Sequence, residues 1–310
     1  MTFSQSSQSS LSYIEEVTFG TTPAGDFTPL PFSTHSLDGT KEVVEGTDIR
    51  GDRQNHVERH GNKQTAGDIV ADLRGGAYDA LLESAMFSTW DDTPALNDEL
   101  IVGSTQKSFT FEDAANDIGQ YTLYTGSIVN SIAVSIAPNQ MVTTTFGIIG
   151  KDFSNSAVGK TIGAYTETEP FDSYSGTISI GDSGGPLTAN GTIMSVDFTL
   201  DNGLTHAFVV GSDSAPQINN AKAVVTGTIS AYFEDALFID RFINELESGL
   251  IVTVSDPAAT STYGFEFPRI KVNSATHSVD GGPRMVSMDF KALYDSTEGT
   301  TLKITRPASD

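Results

Sequence analysis

The sequence predicts an α+β protein, mainly β, made of two tandem β-sandwich or β-barrel units that each pack one α-helix. Three observations predict this fold. Apolar and polar residues alternate in many short stretches, as they do in half-buried strands. Two other stretches space their apolar residues as an amphipathic helix does. The order of these elements in the first half of the chain returns in the second half.

The first half contains the clearest strands. Residues 38–66 are charged and turn-rich, which predicts a long exposed loop or an extended hairpin. Residues 69–73 then alternate as a strand. Ile128, Ile132, Val134 and Ile136 face away from the serines at 127, 131 and 135. Residues 142–148 form the returning strand of a hairpin.

Two amphipathic helices are predicted, one in each half. Both have apolar residues three and four positions apart, which places those side chains on one helix face. In the first helix these residues are Tyr78, Leu81, Leu82, Ala85 and Met86. In the second they are Phe238, Ile239, Phe242, Ile243 and Leu246.

An ordered series of matched positions relates the two halves. Ile69 falls on Ile229, 160 positions later. Further along the chain, 129–131 falls on 272–274 and 109–111 falls on 252–254, both at an offset of 143 positions, and Phe146 falls on Phe290 at 144. Offsets that drift slowly are typical of a duplicated domain with loop insertions.

These matches predict four segments. Polar composition indicates a flexible, loop-like N-terminal arm at 1–26. The first unit spans 27–150 and the second spans 191–310. Residues 151–190 are rich in Ser, Thr, Gly and acidic residues, which predicts a linker or irregular insertion between the units.

The composition excludes several functions. With 17 Lys and Arg against 40 Asp and Glu, the net charge is −23, which argues against a nucleic-acid-binding surface. The absence of cysteine excludes disulfides and thiolate metal sites. The first ten residues do not read as a signal peptide, and no apolar run reaches membrane-spanning length, so no membrane association is expected.

A serine hydrolase is the main alternative. Residues 181–186, Gly-Asp-Ser-Gly-Gly-Pro, match the signature around the nucleophilic serine of trypsin-like proteases and the G-x-S-x-G pattern. The Ser183 hydroxyl would need a histidine base. His35, His56 and His60 precede it, but none lies in that family's apolar setting, and a turn instead of a helix follows Ser183. The favoured interpretation is a turn at the domain boundary.

No metal or cofactor site is expected. His56 and His60 have i, i+4 spacing, but the segment reads H-x-E-x-H in place of the metalloprotease H-E-x-x-H. The same segment lacks an amphipathic helical pattern, which favours a solvated loop. We therefore expect no catalytic residues, no metal ligands and no cofactor.

A family resemblance runs through residues 27–306. The segments that carry it are Glu45–Gln54, Ala66–Leu73, Tyr78–Glu83 with Trp90, Asp117–Tyr121 and Ala231–Asp235. Together they resemble the major tail tube proteins of long-tailed, non-contractile bacteriophages. The segment 181–186 has no counterpart that we can assign in that family.

The resemblance implies a structural virion protein of the viral tail that forms the conduit for DNA ejection. Each tail-tube-type unit would add a sheet to a continuous barrel around a lumen, with its helix outside. Three chains would make a pseudo-sixfold ring, and rings would stack into a tube. The implied partners are further copies of the chain, a tape measure protein inside the tube, and the tail terminator and distal tail proteins. DNA would pass without specific binding, and assembly would occur in the host cytoplasm.

The charged segment 38–66 is then the natural arm for contact between rings, unless it is only a mobile surface loop. Its candidate contact residues are Glu42, Glu45, Asp48, Arg50, Asp52, Arg53 and Arg59. The net charge suits a channel along which DNA slides, although ordinary acidic solubility would explain it equally. An adhesin-like binding module is the third functional alternative.

Overall fold

The computed structural model describes residues 3–93, 96–234, 237–278 and 282–308. Across these ranges the chain forms twenty strands and two helices, which confirms the predicted α+β, mainly β class. The helices are α1 (Asp79–Met86) and α2 (Leu237–Ile243). The strands are β1 (Ser9–Glu15), β2 (Thr28–Leu30), β3 (Thr34–His35), β4 (Asp38–Glu45), β5 (Glu58–Asp72), β6 (Asn97–Ile101), β7 (Phe109–Ala115), β8 (Gln120–Ile136), β9 (Thr143–Gly150), β10 (Asp152–Ser156), β11 (Asp172–Asp182), β12 (Thr188–Ala189), β13 (Ile193–Asp201), β14 (Thr205–Ala207), β15 (Gln217–Asn219), β16 (Val224–Tyr232), β17 (Glu247–Ser255), β18 (Thr262–Ser278), β19 (Met285–Ala292) and β20 (Lys303–Pro307).

The first half (β1 to β10) and the second half (β11 to β20) have the same strand order. In the first half, antiparallel neighbours run β1-β7-β8-β9-β5, and β3 and β4 complete the edge. In the second half they run β11-β17-β18-β19-β16-β13. This shared order supports the predicted duplication.

The long central strands β8 and β18 also carry β-bulges at matching places. Against β9, the register of β8 shifts between Val129 and Ser131, and against β19 the register of β18 shifts between Val272 and Ser274. A second shift in each strand faces β7 and β17, respectively. A bulge locally increases twist and bends the strand, so a shared bulge means a shared sheet shape.

Two of the predicted matches between the halves are wrong. Phe111 lies opposite Tyr124, and Leu250 lies opposite Phe267, so the equivalent of Phe111 is Leu250 and not a residue of 252–254. The equivalent of Phe146 is likewise Met288, because these residues face Ile69 and Ile229, respectively. Both errors are shifts by an even number of residues. Such a shift keeps every side chain on its original face, so alternation alone cannot detect it.

The N-terminal segment 1–26 is not loop throughout. Ser9–Glu15 forms β1, which pairs along β7, and its Leu11 and Tyr13 side chains are buried. The loop prediction is wrong for these residues, because two apolar residues alternating among Ser and Gln are a weak strand signal.

The linker prediction for 151–190 is also wrong in part. β10 pairs with β8, and β11 pairs along β17, so β11 is part of the second half's sheet and not a free connection. Ile178 and Ile180 provide most of the apolar character of β11, and neighbouring strands supply its backbone partners. Its Ser, Thr and Gly content therefore resembles loop composition.

The two helices differ in how well their apolar faces are covered. The Leu81, Leu82 and Met86 side chains of α1 are buried, as predicted. In α2 the Phe238 side chain is buried, but Phe242 and Ile243 are 38% and 66% exposed. The predicted apolar face of the second helix is therefore only partly buried in the chain.

A buried ionic cluster joins the halves. β20 pairs with β6, which brings the Arg306 guanidinium to Asp79 at the start of α1 and to Asp98 at 2.9 Å. The guanidinium also stacks on the Trp90 ring at 4.3 Å, and the Tyr263 hydroxyl donates to Asp79. Burial raises the pKa of the Asp79 carboxyl, although the Tyr263 and Arg306 contacts oppose that rise.

Removing the guanidinium tests this cluster. Arg306→Ala should lower the free energy of unfolding by about 3–5 kcal/mol, because it leaves two largely buried carboxylates without their cation. Urea unfolding of the unassembled chain measures the change. Arg269→Ala, which removes a more exposed pair with Glu247, should cost about 1 kcal/mol or less. Equal losses of unfolding free energy in the two variants would contradict the assignment of Arg306 to a buried ionic cluster.

Candidate channel and assembly surfaces

One sheet runs through both halves of the chain. β13 of the second half pairs with the C-terminal part of β8 in the first half, from Val196 opposite Ile136 to Asp201 opposite Ser131. The strands therefore follow one another as β4-β5-β9-β8-β13-β16-β19-β18. Because side chains alternate between the faces of a sheet, this sheet has one apolar face in the core and one outward face.

The outward face is polar across both halves. Residues directly opposite each other on neighbouring strands form a transverse row in which every side chain is an Asp, Ser or Thr. From β5 to β18 the row reads Asp72, Thr143, Ser135, Asp197, Thr228, Asp289 and Ser274. We call this surface the acidic face.

Hydroxyl groups hold the carboxylates of the acidic face in place. Ser135 Oγ donates to Asp197 at 2.5 Å, and Thr228 Oγ1 and Ser274 Oγ donate to Asp289 at 2.9 and 2.7 Å. The bonds from Ser274 and Thr228 lower the pKa of the Asp289 carboxyl. Asp289 therefore stays ionised to a lower pH than an ordinary aspartate.

The acidic face is concave. It lines a cavity of about 470 Å³, to which β8, β9, β13, β16 and β19 contribute residues. Further carboxylates on the same face are those of Asp68 and Asp201, and the opposed Lys291 and Lys271 add two positive charges. A groove with this charge repels polyanions and lacks the basic patch that a nucleic-acid-binding surface needs.

The local sequence explains the two faces. In β13, Val196, Phe198 and Leu200 are buried, while Asp197 and Asp201 point to the other side. These carboxylates were not among the functional candidates expected from the sequence. The sequence does contain a signal, because Asp alternates with apolar residues in β5, β13 and β19. This signal identifies a common acidic surface only once the three strands are known to share one sheet.

The segment 38–66 is an extended hairpin, one of the two forms expected for it. β4 and β5 pair from Asp38 opposite Ala66 to Glu45 opposite Glu58, and the tip lies beyond them. All seven charged residues predicted for assembly lie on this hairpin and are exposed. Within it, Arg50 pairs with Asp48 at 3.0 Å, and Asp52 pairs with His56 at 2.6 Å.

The hairpin differs from the rest of the surface in two ways. Residues 41–63 contain five Lys or Arg and five Asp or Glu, whereas the whole chain has a net charge of −23. The side chains of Val43, Val44 and Ile49 are 53%, 57% and 98% exposed. A neutral arm with exposed apolar groups can approach an acidic copy of the same chain without repulsion.

Ser183 lacks the contacts of a catalytic serine. Its hydroxyl donates to the Pro268 carbonyl oxygen at 3.1 Å, and the neighbouring Asp182 pairs with Arg241 at 3.0 Å. His35 lies beside Asp113 and His206 bonds to the Gly150 carbonyl, so both histidines are engaged with other groups. The hydrogen-bond acceptor of the Ser183 hydroxyl is therefore a backbone carbonyl oxygen, which does not act as a general base.

Neither helix in the described part of the chain is long and apolar enough to cross a membrane. Within the same ranges, no three His, Asp or Glu side chains are grouped so that they could hold a metal ion.

Comparison with known proteins adds independent evidence. The family model for phage tail tube proteins matches residues 6–300, which is nearly the whole chain. A search of curated proteins found no match. The concave acidic face and the projecting hairpin are features that a tube subunit can use. The chain belongs to the phage tail tube protein family and is a structural protein of the virion tail.

Proposed function

We propose that this chain is the major tail tube protein: three copies close into a pseudo-sixfold ring, and rings stack into the conduit for DNA ejection. The observation that carries this proposal is the concave acidic face, which continues across both halves of the chain. In the ring this face lines the lumen.

The charge of the face fits a passage for DNA. Duplex DNA carries one negative charge per about 1.7 Å of its axis, and proteins bind it by replacing its counterions with Lys and Arg. The transverse row instead presents Asp72, Asp197 and Asp289 with hydroxyl groups between them. DNA therefore slides through the lumen without specific binding.

The two similar halves support three chains per ring. Each half has the same strand order and adds four strands to the continuous sheet, so one chain supplies two of six similar segments. A head-to-tail contact that closes gives a ring, and a second head-to-tail contact along the axis gives a filament. The hairpin arm makes the second contact, through the charged residues already named and its exposed apolar groups.

Other tail proteins would complete the same assembly. A tape measure protein occupies the lumen before ejection, and tail terminator and distal tail proteins close the two ends. Assembly takes place in the host cytoplasm. The chain needs no cofactor, metal or membrane for this function.

We further propose that Ser183 has no catalytic role, so a fluorophosphonate probe should leave the chain unlabelled. The physical reason is the absence of a base in its contacts, where the Pro268 carbonyl accepts its hydrogen bond. Labelling is read by in-gel fluorescence of the folded protein. A signal that disappears in Ser183→Ala would instead support the serine hydrolase alternative.

Reversing charge in the lumen tests the conduit. Tubes of Asp197→Lys with Asp289→Lys should bind short duplex DNA in co-sedimentation, with affinity that falls steeply as salt rises, whereas unsubstituted tubes should not. Glu167→Lys with Glu169→Lys is the matched control, because these exposed residues lie in the connection from β10 to β11 and change the net charge equally. Equal DNA binding by both variants would place Asp197 and Asp289 outside the lumen.

Reversing charge in the arm tests stacking. Arg50→Glu with Arg53→Glu should shorten or abolish tubes while leaving the circular dichroism spectrum unchanged, because both residues are exposed on the hairpin. Negative-stain microscopy measures tube length. Arg50→Lys with Arg53→Lys keeps the charge and should assemble normally. Tubes of normal length in the Glu variant would remove these residues from the contact.

A further inference from the structure

The strand pairing that joins the two halves inside the chain is a template for a strand pairing between chains. We call the first the internal seam and the second the seam between chains. Within one chain, β13 pairs with the C-terminal part of β8, with Thr199 opposite Ala133 and Leu200 opposite Ile132. Each half contains a counterpart of both strands, so each chain has a second copy of each edge. This inference rests on the proposed ring.

The counterpart of β8 is β18. The coincident bulges align Val129 with Val272 and Ser131 with Ser274. Beyond the bulge, Ala133 therefore corresponds to Thr276. Among the described residues, β18 from Val272 to His277 has a ladder partner only on its β19 side.

The counterpart of β13 is the strand 34–40, formed by β3 and the start of β4. Asp38 faces Ala66 on β5 as Thr199 faces Thr226 on β16, and those partners occupy equivalent positions. In the described part of the chain, this strand has a ladder partner only on its β5 side.

A close backbone approach at one glycine of each half is consistent with this equivalence. A Cβ atom added to Gly67 of β5 would lie 2.4 Å from the Ser36 carbonyl oxygen. A Cβ atom added to Gly227, the equivalent glycine of β16, would lie 2.5 Å from the Asp197 carbonyl oxygen. Ser36 and Asp197 are therefore equivalent, and 34–40 aligns with 195–201 without a gap.

We propose that β18 of one chain pairs antiparallel with strand 34–40 of the next chain, in the register of the internal seam. Transferring that register places Asp38 opposite Thr276, Gly39 opposite Ala275 and Thr40 opposite Ser274. The Asp38 and Thr276 side chains are exposed in the single chain and would lie on the acidic face, as Thr199 and Ala133 do. The Leu37 carbonyl on this edge accepts a hydrogen bond from the Tyr124 hydroxyl at 3.1 Å, but in the described residues the edge has no ladder partner. An edge without a ladder partner invites strand pairing with another chain.

The exposed apolar face of α2 indicates a further contact surface beside β18. α2 packs on β18, and its Phe242 and Ile243 side chains, together with Leu246 just after it, remain exposed. At the internal seam, α1 is covered by the second half, whose Arg306 and Tyr263 reach Asp79. The neighbouring chain covers α2 in the ring.

The two kinds of seam differ in one respect. The internal seam has a second strand pair, between β6 and β20, together with the Arg306 cluster. β6 lies in the long connection 87–108 between α1 and β7, whereas only residues 244–246 separate α2 from β17. The seam between chains therefore lacks this second pair and is the weaker of the two.

Cysteine cross-linking tests the register, because the natural chain contains no cysteine. Rings of Asp38→Cys with Thr276→Cys should give covalent dimers and trimers on oxidation, read by non-reducing electrophoresis. Asp38→Cys with Ser274→Cys tests a slip of two residues and should give several-fold less product, since diagonal neighbours are too far apart for a disulfide. Thr199→Cys with Ala133→Cys is the matched internal control and should form an intrachain bond only.

The outcomes separate this inference from the proposed function. Covalent trimers from the Asp38 and Thr276 pair alone, in preparations that show rings by microscopy, support the seam. Rings in which this pair stays uncrosslinked, or in which the Ser274 pair reacts equally, overturn the seam and leave the tube function standing. Failure of the unsubstituted chain to form rings with its assembly partners overturns both.

Discussion

The pairing of β13 with β8 is the contact on which the rest of the structure depends. Backbone hydrogen bonds between these strands turn two sandwich-like halves into one continuous sheet. A sheet register is fixed to the residue, because a slip by one position would move every core side chain to the outward face. The same register that buries Val196 and Leu200 places Asp197 and Asp201 in the groove.

Charge is distributed unevenly over the surface of the chain. Part of the net charge of −23 lies on the concave face, where Ser and Thr hydroxyl groups donate hydrogen bonds to the Asp197 and Asp289 carboxylates. Residues 41–63 of the hairpin carry equal numbers of acidic and basic residues, and their valines and Ile49 are exposed. In the proposed tube, a subunit built in this way would repel DNA along the lumen and would accept another copy of itself between rings.

Much of the fold could be predicted from the sequence. Strong alternation identified β8 and β9, helical spacing identified α1, and the density of charge identified the arm. Weak local signals failed in β1 and β11, whose backbones are paired by distant strands although few apolar residues are present. The equivalence of Phe111 with Leu250 was missed because shifts by an even number of residues preserve the pattern.

The acidic face could not be predicted, because it depends on strands that are far apart in sequence becoming neighbours. Asp72 and Asp289 belong to one row only through the register of five strand pairs. The central claim is that such rows close around a lumen with three chains per ring. Electron microscopy of purified tubes, with end-on averaging and mass per unit length, tests it most directly. The account predicts three chain masses per ring with threefold symmetry close to sixfold; six chain masses per ring, or particles that never close, would contradict it.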